Sequence, residues 1–134
     1  MKEYTLKLNS SQLIRVMKAI NLLMRLKINQ PKEIPDALMP DDYWKDGKID
    51  KDAFNDFLKR RDHADEYLEK AFREIFPRWE DVKKDDEWYT LYNIYQALRY
   101  QRHLAETPNG KGVDSYPPMA LGGEPVPECT WKEI

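Results

Sequence analysis

At 134 residues the chain is sized for one domain, but 34% charged side chains and a mean hydropathy of −0.83 leave little apolar material for a core. A net charge of −2 argues against broad binding to nucleic acid or a membrane surface, both of which favour a basic excess. The single cysteine, Cys129, excludes an internal disulfide and agrees with a reducing cytoplasm. No apolar run approaches the roughly 18 residues that cross a bilayer. Aromatics at 12% supply large buried areas where aliphatic residues are few. A core this thin gains stability from self-association, so a homo-oligomer, dimer or higher, is expected.

In chain order, Met1–Glu3 runs directly into an alternating pattern rather than a secretory leader. Tyr4, Leu6 and Leu8 alternate with Thr5 and Lys7 as in a half-buried strand. Asn9 followed by Gln12 forms a capping-box pattern that opens the first helix. Leu13, Val16, Met17, Ile20, Leu23 and Met24 mark its 3.6-residue stripe, which ends near Asn29, before Pro31. Residues 31–50 read as a loop with one helical turn at Asp36–Met39. Asp50 caps a second helix of about 25 residues, near 37 Å at 1.5 Å per residue, which Pro77 stops. Its stripe includes Phe54, Phe57, Leu58, Leu68 and Phe72, and its Lys59-Arg60-Arg61 run reads as a solvated face. A third helix is expected from Asp86 to Ala105. Beyond Thr107, Pro and Gly dominate, yet Tyr116, Met119, Leu121, Val126 and Trp131 make the segment too apolar for a free linker. Residues 106–134 are therefore expected to lie docked and extended, with Glu128–Lys132 pairing against Tyr4–Leu8. The expected architecture is α+β: one domain over 1–134, three main helices, and a small antiparallel sheet joining the N-terminal strand to the C-terminal tail.

Few residues suggest catalysis. Residues 42–53 resemble a calcium loop, with Asp42, Asp46, Gly47 and Asp50 in place. Trp44 and Ala53 stand where a ligand and the bidentate glutamate belong, so Asp46-Gly47 reads more simply as a turn. Cys129 lies in a proline-rich tail, and His63 and His103 are too far apart in sequence for metal-ligand spacing. No cofactor signature is present. Two basic clusters remain: the Lys59–Arg61 run on the second helix, and Arg25–Gln30 at the end of the first helix. The second complements the helix dipole and, with Asn29 and Gln30, can frame a polar pocket.

The richest stretch is Trp88–His103, which carries four of the eight tyrosines. As a helix it places Leu91, Ile94, Tyr95, Leu98 and Arg102 on one side, with Arg99 beside Tyr95. Arginine forks pair with phosphate and tyrosine faces stack on bases, so such a surface suits a flat anionic ligand. A packed core helix with salt-bridged arginines is the simpler alternative.

The order of parts resembles a family of small tailed-phage and prophage proteins. The resemblance rests on Tyr4–Gln12, on Met24–Gln30, on Ile94-Tyr95-Gln96-Ala97-Leu98-Arg99-Tyr100, and on Pro118–Pro127. Some of these proteins are similar to the phage Thoeris anti-defence sponges, which bind a cyclic ADP-ribose-type signal without chemistry. Those sponges are oligomers of an α+β protomer with ligand pockets between subunits. The resemblance implies that Arg99 and Arg102 contact phosphate, that Tyr95 or Tyr100 stacks on the base, and that Asn93 and Gln96 read polar edges. Residues 41–52 look like an insertion relative to that pattern. The resemblance thus implies a non-enzymatic counter-defence protein in the host cytoplasm that sequesters a cyclic nucleotide at a subunit interface. A protein–protein adaptor or inhibitor ranks second, and an enzyme that degrades the signal third.

Overall fold

The computed structural model describes residues 1–133. It is mostly helical: α1 (Ser10–Lys27), α2 (Glu33–Leu38), α3 (Lys51–Ile75) and α4 (Asp86–Glu106), with 3₁₀ turns at Trp79–Asp81 and Val113–Ser115. The sheet is a two-stranded antiparallel hairpin, β1 (Trp44–Lys45) with β2 (Lys48–Ile49), pairing Trp44 with Ile49 and Lys45 with Lys48. This corrects the expected sheet between residues 4–8 and 128–132. Neither segment is a strand; residues 1–7 are exposed and unpaired in any ladder. A five-residue alternation is not stable without a partner strand, and the prolines at 125 and 127 withhold ladder donors just before the other candidate. The hairpin forms because Asp46 (φ 51°) and Gly47 (φ 73°) both adopt left-handed backbone at its tip, as a two-residue turn of this hand requires.

Backbone contacts divide the chain into two compact units, residues 1–24 with 84 onward, and residues 25–83. In the first, α1 begins with a reciprocal capping box. Asn9 Oδ1 accepts from Gln12 N at 2.9 Å, and Asn9 N donates to Gln12 Oε1 at 3.0 Å. Asp85 caps α4 through Trp88 N at 2.8 Å. Trp88 anchors α4: its ring is buried, stacks on Tyr92 at 5.2 Å, and donates from Nε1 to the Met24 carbonyl at 3.2 Å. From Trp88 to Ala105 no residue of α4 is exposed.

The second unit is organised around α3. Asp50 caps it, accepting from Ala53 N at 2.8 Å. Tyr43 packs edge-on against Phe54 and Phe57, at 5.0 and 4.9 Å between ring centroids, seating the hairpin against the first turns of the helix. Residues 31–50, read as a loop with one helical turn at Asp36–Met39, hold α2 over Glu33–Leu38 and also the hairpin. The Lys59–Arg61 run is not simply solvated. Arg60 grips Asp42 with two hydrogen bonds of 3.1 Å and Asp56 with one of 3.0 Å, and Arg61 lies 3.9 Å from Asp36. Among the described residues the buried apolar side chains are Met17, Met24, Ile28, Phe57, Trp88 and Ala97, a core as thin as the composition implies.

Candidate functional site

Two groups of side chains stand out, one in each unit. On α4, Thr90, Asn93, Gln96 and Arg99 recur every three residues and face the C-terminal segment. Asn93 is 1% exposed, and its amide works in both directions: Nδ2 donates to the carbonyls of Leu121 (2.8 Å) and Glu124 (3.2 Å), and Oδ1 accepts from Leu121 N (3.0 Å). Gln96 repeats the device, donating to Met119 O at 2.9 Å and accepting from Met119 N at 3.0 Å. Thr90 Oγ1 donates to Glu124 Oε2 at 3.0 Å, and Arg99 Nε lies 3.8 Å from Asp114 Oδ1. The segment from Asp114 to Glu124 therefore runs antiparallel to α4, and side-chain amides satisfy the backbone groups that a β-ladder would otherwise pair. Gly122 sits where this approach is closest: its φ is +74°, and a Cβ there would lie 2.8 Å from Tyr89 Cβ.

All six residues singled out on this helix are on α4. Asn93 and Gln96 direct their amides to the chain's own tail, and Arg102 Nε donates to Glu106 Oε2 at 2.8 Å. Arg99 is 11% exposed, and its buried Nε is too far from Asp114 for a hydrogen bond. Tyr100 stacks on the buried His103 at 6.4 Å, and Tyr95 is half-buried. His103 Nδ1 lies 3.4 Å from Thr107 Oγ1, and the ring of His63 meets Tyr67 edge-on at 4.7 Å. Burial pushes the Cys129 thiol up, which makes it a poorer nucleophile. Among the described residues no cluster of His, Cys, Asp and Glu could hold a metal ion.

The second group forms a concavity of about 530 Å³ within residues 25–83, in the size range of small-molecule sites. Its first wall follows from how α1 ends. Asn29 turns left-handed at φ 57°, Asn29 N donates to Leu26 O at 3.0 Å, and Gln30 N donates to Arg25 O at 2.8 Å. This is a complete Schellman motif with asparagine in the position usually given to glycine. Arg25 Nη1 then donates to Gln30 Oε1 at 2.8 Å, and Asn29 Nδ2 donates to the Pro77 carbonyl. The latter bond ties the end of α1 to the segment that follows α3. Glu69, Phe72 and Arg73 from α3, Arg78 and Glu80 beyond it, and Pro31–Glu33 complete the lining.

Four cationic side chains thus meet three carboxylates around one aromatic ring. Arg73 Nη2 is 3.6 Å from Glu69 Oε2. Among the described residues, the side chains of Glu33, Arg78 and Glu80 make no hydrogen bond or ion pair, whereas the charge of Lys32 acts on the Asp65 carboxyl. Sequence reading reached Arg25, Asn29 and Gln30 as a polar wall but missed Lys32, Phe72 and Arg78. These come from three segments, and each in isolation looks like a loop charge or a core ring.

No protein-family model matches this chain. Likewise, no curated protein and no solved structure shows significant similarity to it.

Proposed function

We propose that the protein is a non-enzymatic counter-defence protein of the phage type that captures an anionic cyclic nucleotide signal, of the cyclic ADP-ribose class, and holds it in the pocket of residues 25–80. The observation that carries the reading is Arg78, a cation whose side chain has no partner among the described residues, lining the same concavity of about 530 Å³ as Lys32 and Phe72. Arginine forks suit phosphate oxygens and a phenyl face suits a base. The carbonyl ends of α1 and α3 carry partial negative charge, so attraction for an anion falls to the side chains. In this reading the seat of the ligand moves from α4, whose amides hold the tail, to the pocket.

Ile75 and Phe76, 70% and 49% exposed, follow the α3 wall directly and support completion of the site by a second subunit. The same exposed residues favour the second reading, an adaptor that grips another protein. The deciding experiment is calorimetric titration of the purified protein with cyclic ADP-ribose and ADP-ribose, followed by heat denaturation and mass spectrometry of what is released. Recovery of intact ligand from the wild type, and loss of binding in Lys32→Ala/Arg78→Ala, supports sequestration. A linear product points to an enzyme. Absence of binding by the folded protein removes the proposal in favour of the adaptor.

A further inference from the structure

The pocket's carboxylates bear on what kind of anion it takes, an inference that rests on the capture reading above. An ionised carboxylate is acceptor-only. A bare phosphate chain placed among Arg25, Lys32, Arg73 and Arg78 would also face Glu33, Glu69 and Glu80, to which it can donate nothing and by which it is repelled. Glu69 is engaged by Arg73, whereas Glu33 and Glu80 have no side-chain partner among the described residues. Acceptors interleaved with cations fit a ligand that brings hydroxyl donors together with its negative charge. Phe72, half-buried in the same wall, adds a face for a ring.

We infer that Glu33 and Glu80 select the captured nucleotide by accepting hydrogen bonds from its ribose hydroxyls, so that the pocket favours a ribonucleotide over inorganic polyphosphate or a nucleotide lacking those hydroxyls. A carboxylate that accepts from a ribose hydroxyl is a recurrent solution elsewhere in nucleotide-binding proteins. Hydrogen bonds to a charged acceptor are among the stronger ones, so losing both hydroxyls weakens binding by about ten-fold or more.

The probes are ADP, 2′,3′-dideoxy-ADP and pyrophosphate, titrated into the full chain at low salt. ADP is expected to bind about ten-fold or more tightly than its dideoxy analogue. In Glu33→Gln/Glu80→Gln that preference shrinks while pyrophosphate binds better, since two repelling charges are gone. Loss of a merely structural side chain would weaken all three probes together. Equal affinity for ADP and dideoxy-ADP overturns the ribose assignment and leaves anion capture standing. If neither nucleotide binds the folded protein, capture at this pocket falls and the ribose assignment falls with it.

Discussion

Replacing Asn93 by Asp, an almost isosteric change, tests whether the α4 ridge is what holds the C-terminal segment. The wild-type amide donates to two carbonyls, Leu121 O and Glu124 O, and accepts from two N–H donors, Leu121 N and, at 3.4 Å, Gln96 Nε2. A carboxylate keeps the acceptor and turns both donor contacts into oxygen–oxygen repulsion, at a position 1% exposed. Each buried group left without its partner costs about 1–3 kcal/mol, and an unpaired buried charge adds to that. A loss of about 3–5 kcal/mol at neutral pH is therefore expected, limited by the free energy of docking the segment. Protonation restores one donor, so the folded protein raises the pKa of the introduced carboxyl above the unfolded value near 3.9. A raised folded pKa means that stability is retained below the unfolded value and is lost as pH rises through the folded one. Thermal unfolding of wild type and Asn93→Asp at pH 4 and pH 8, with hydrogen exchange of the Met119 and Leu121 amides, reads both effects. The gap must widen toward pH 8, with exchange accelerated over residues 114–124. A gap that is constant, or wider at pH 4, refutes the argument.

Three further outcomes follow from the same geometry. Gly122→Ala combines positive φ with a 2.8 Å approach to Tyr89 Cβ, and should cost about 2–4 kcal/mol while accelerating proteolysis of the tail. Full protection of the tail in that variant would contradict the close packing described. Asn29→Val should lose about 1–3 kcal/mol by chemical denaturation, because a β-branched residue resists left-handed backbone and the bond to Pro77 O is removed; Asn29→Gly should lose less. The Ala53 N–H, more than Lys45, holds the Asp50 carboxyl below its ordinary 3.8. A depressed folded value contributes stability above that pH and loses it as pH falls, so the advantage of wild type over Asp50→Asn should shrink in acid denaturation below it.

Local signals explain what the sequence made legible. The Asn9–Gln12 box, the Asp50 and Asp85 caps and the Asp46-Gly47 turn are each decided within four residues, and each is present. The long helices follow with nearly the expected limits. What depended on distant partners was misread. Tyr4–Leu8 alternates like a strand but joins no ladder among the described residues. On α4 the expected stripe of Leu91, Ile94, Tyr95, Leu98 and Arg102 is only half-buried, while Asn93, Gln96, Ala97 and His103 are buried. Periodicity assigns burial by hydrophobicity, whereas Asn93 and Gln96 are covered because a distant, strandless segment needs hydrogen-bond partners.

The same feature that made α4 look like a ligand-reading surface separates the two possible seats. Amides that can read the edge of a base can read a peptide backbone equally well, and on α4 Met119, Leu121 and Glu124 supply that backbone. Arg99 is nearly enclosed beside Asp114, whereas Arg78 has no side-chain partner among the described residues. Removing each guanidinium in turn therefore gives opposite signatures. If the pocket binds the ligand, Arg78→Ala loses affinity for cyclic ADP-ribose with unchanged thermal stability, and Arg99→Ala loosens the tail while binding persists. If α4 binds it, as the phage-family resemblance implies, Arg99→Ala abolishes binding and Arg78→Ala leaves it unchanged. Because one substitution lies in each compact unit, the pair also controls for general destabilisation: a variant that loses binding only because it unfolds would show it in the melting curve first.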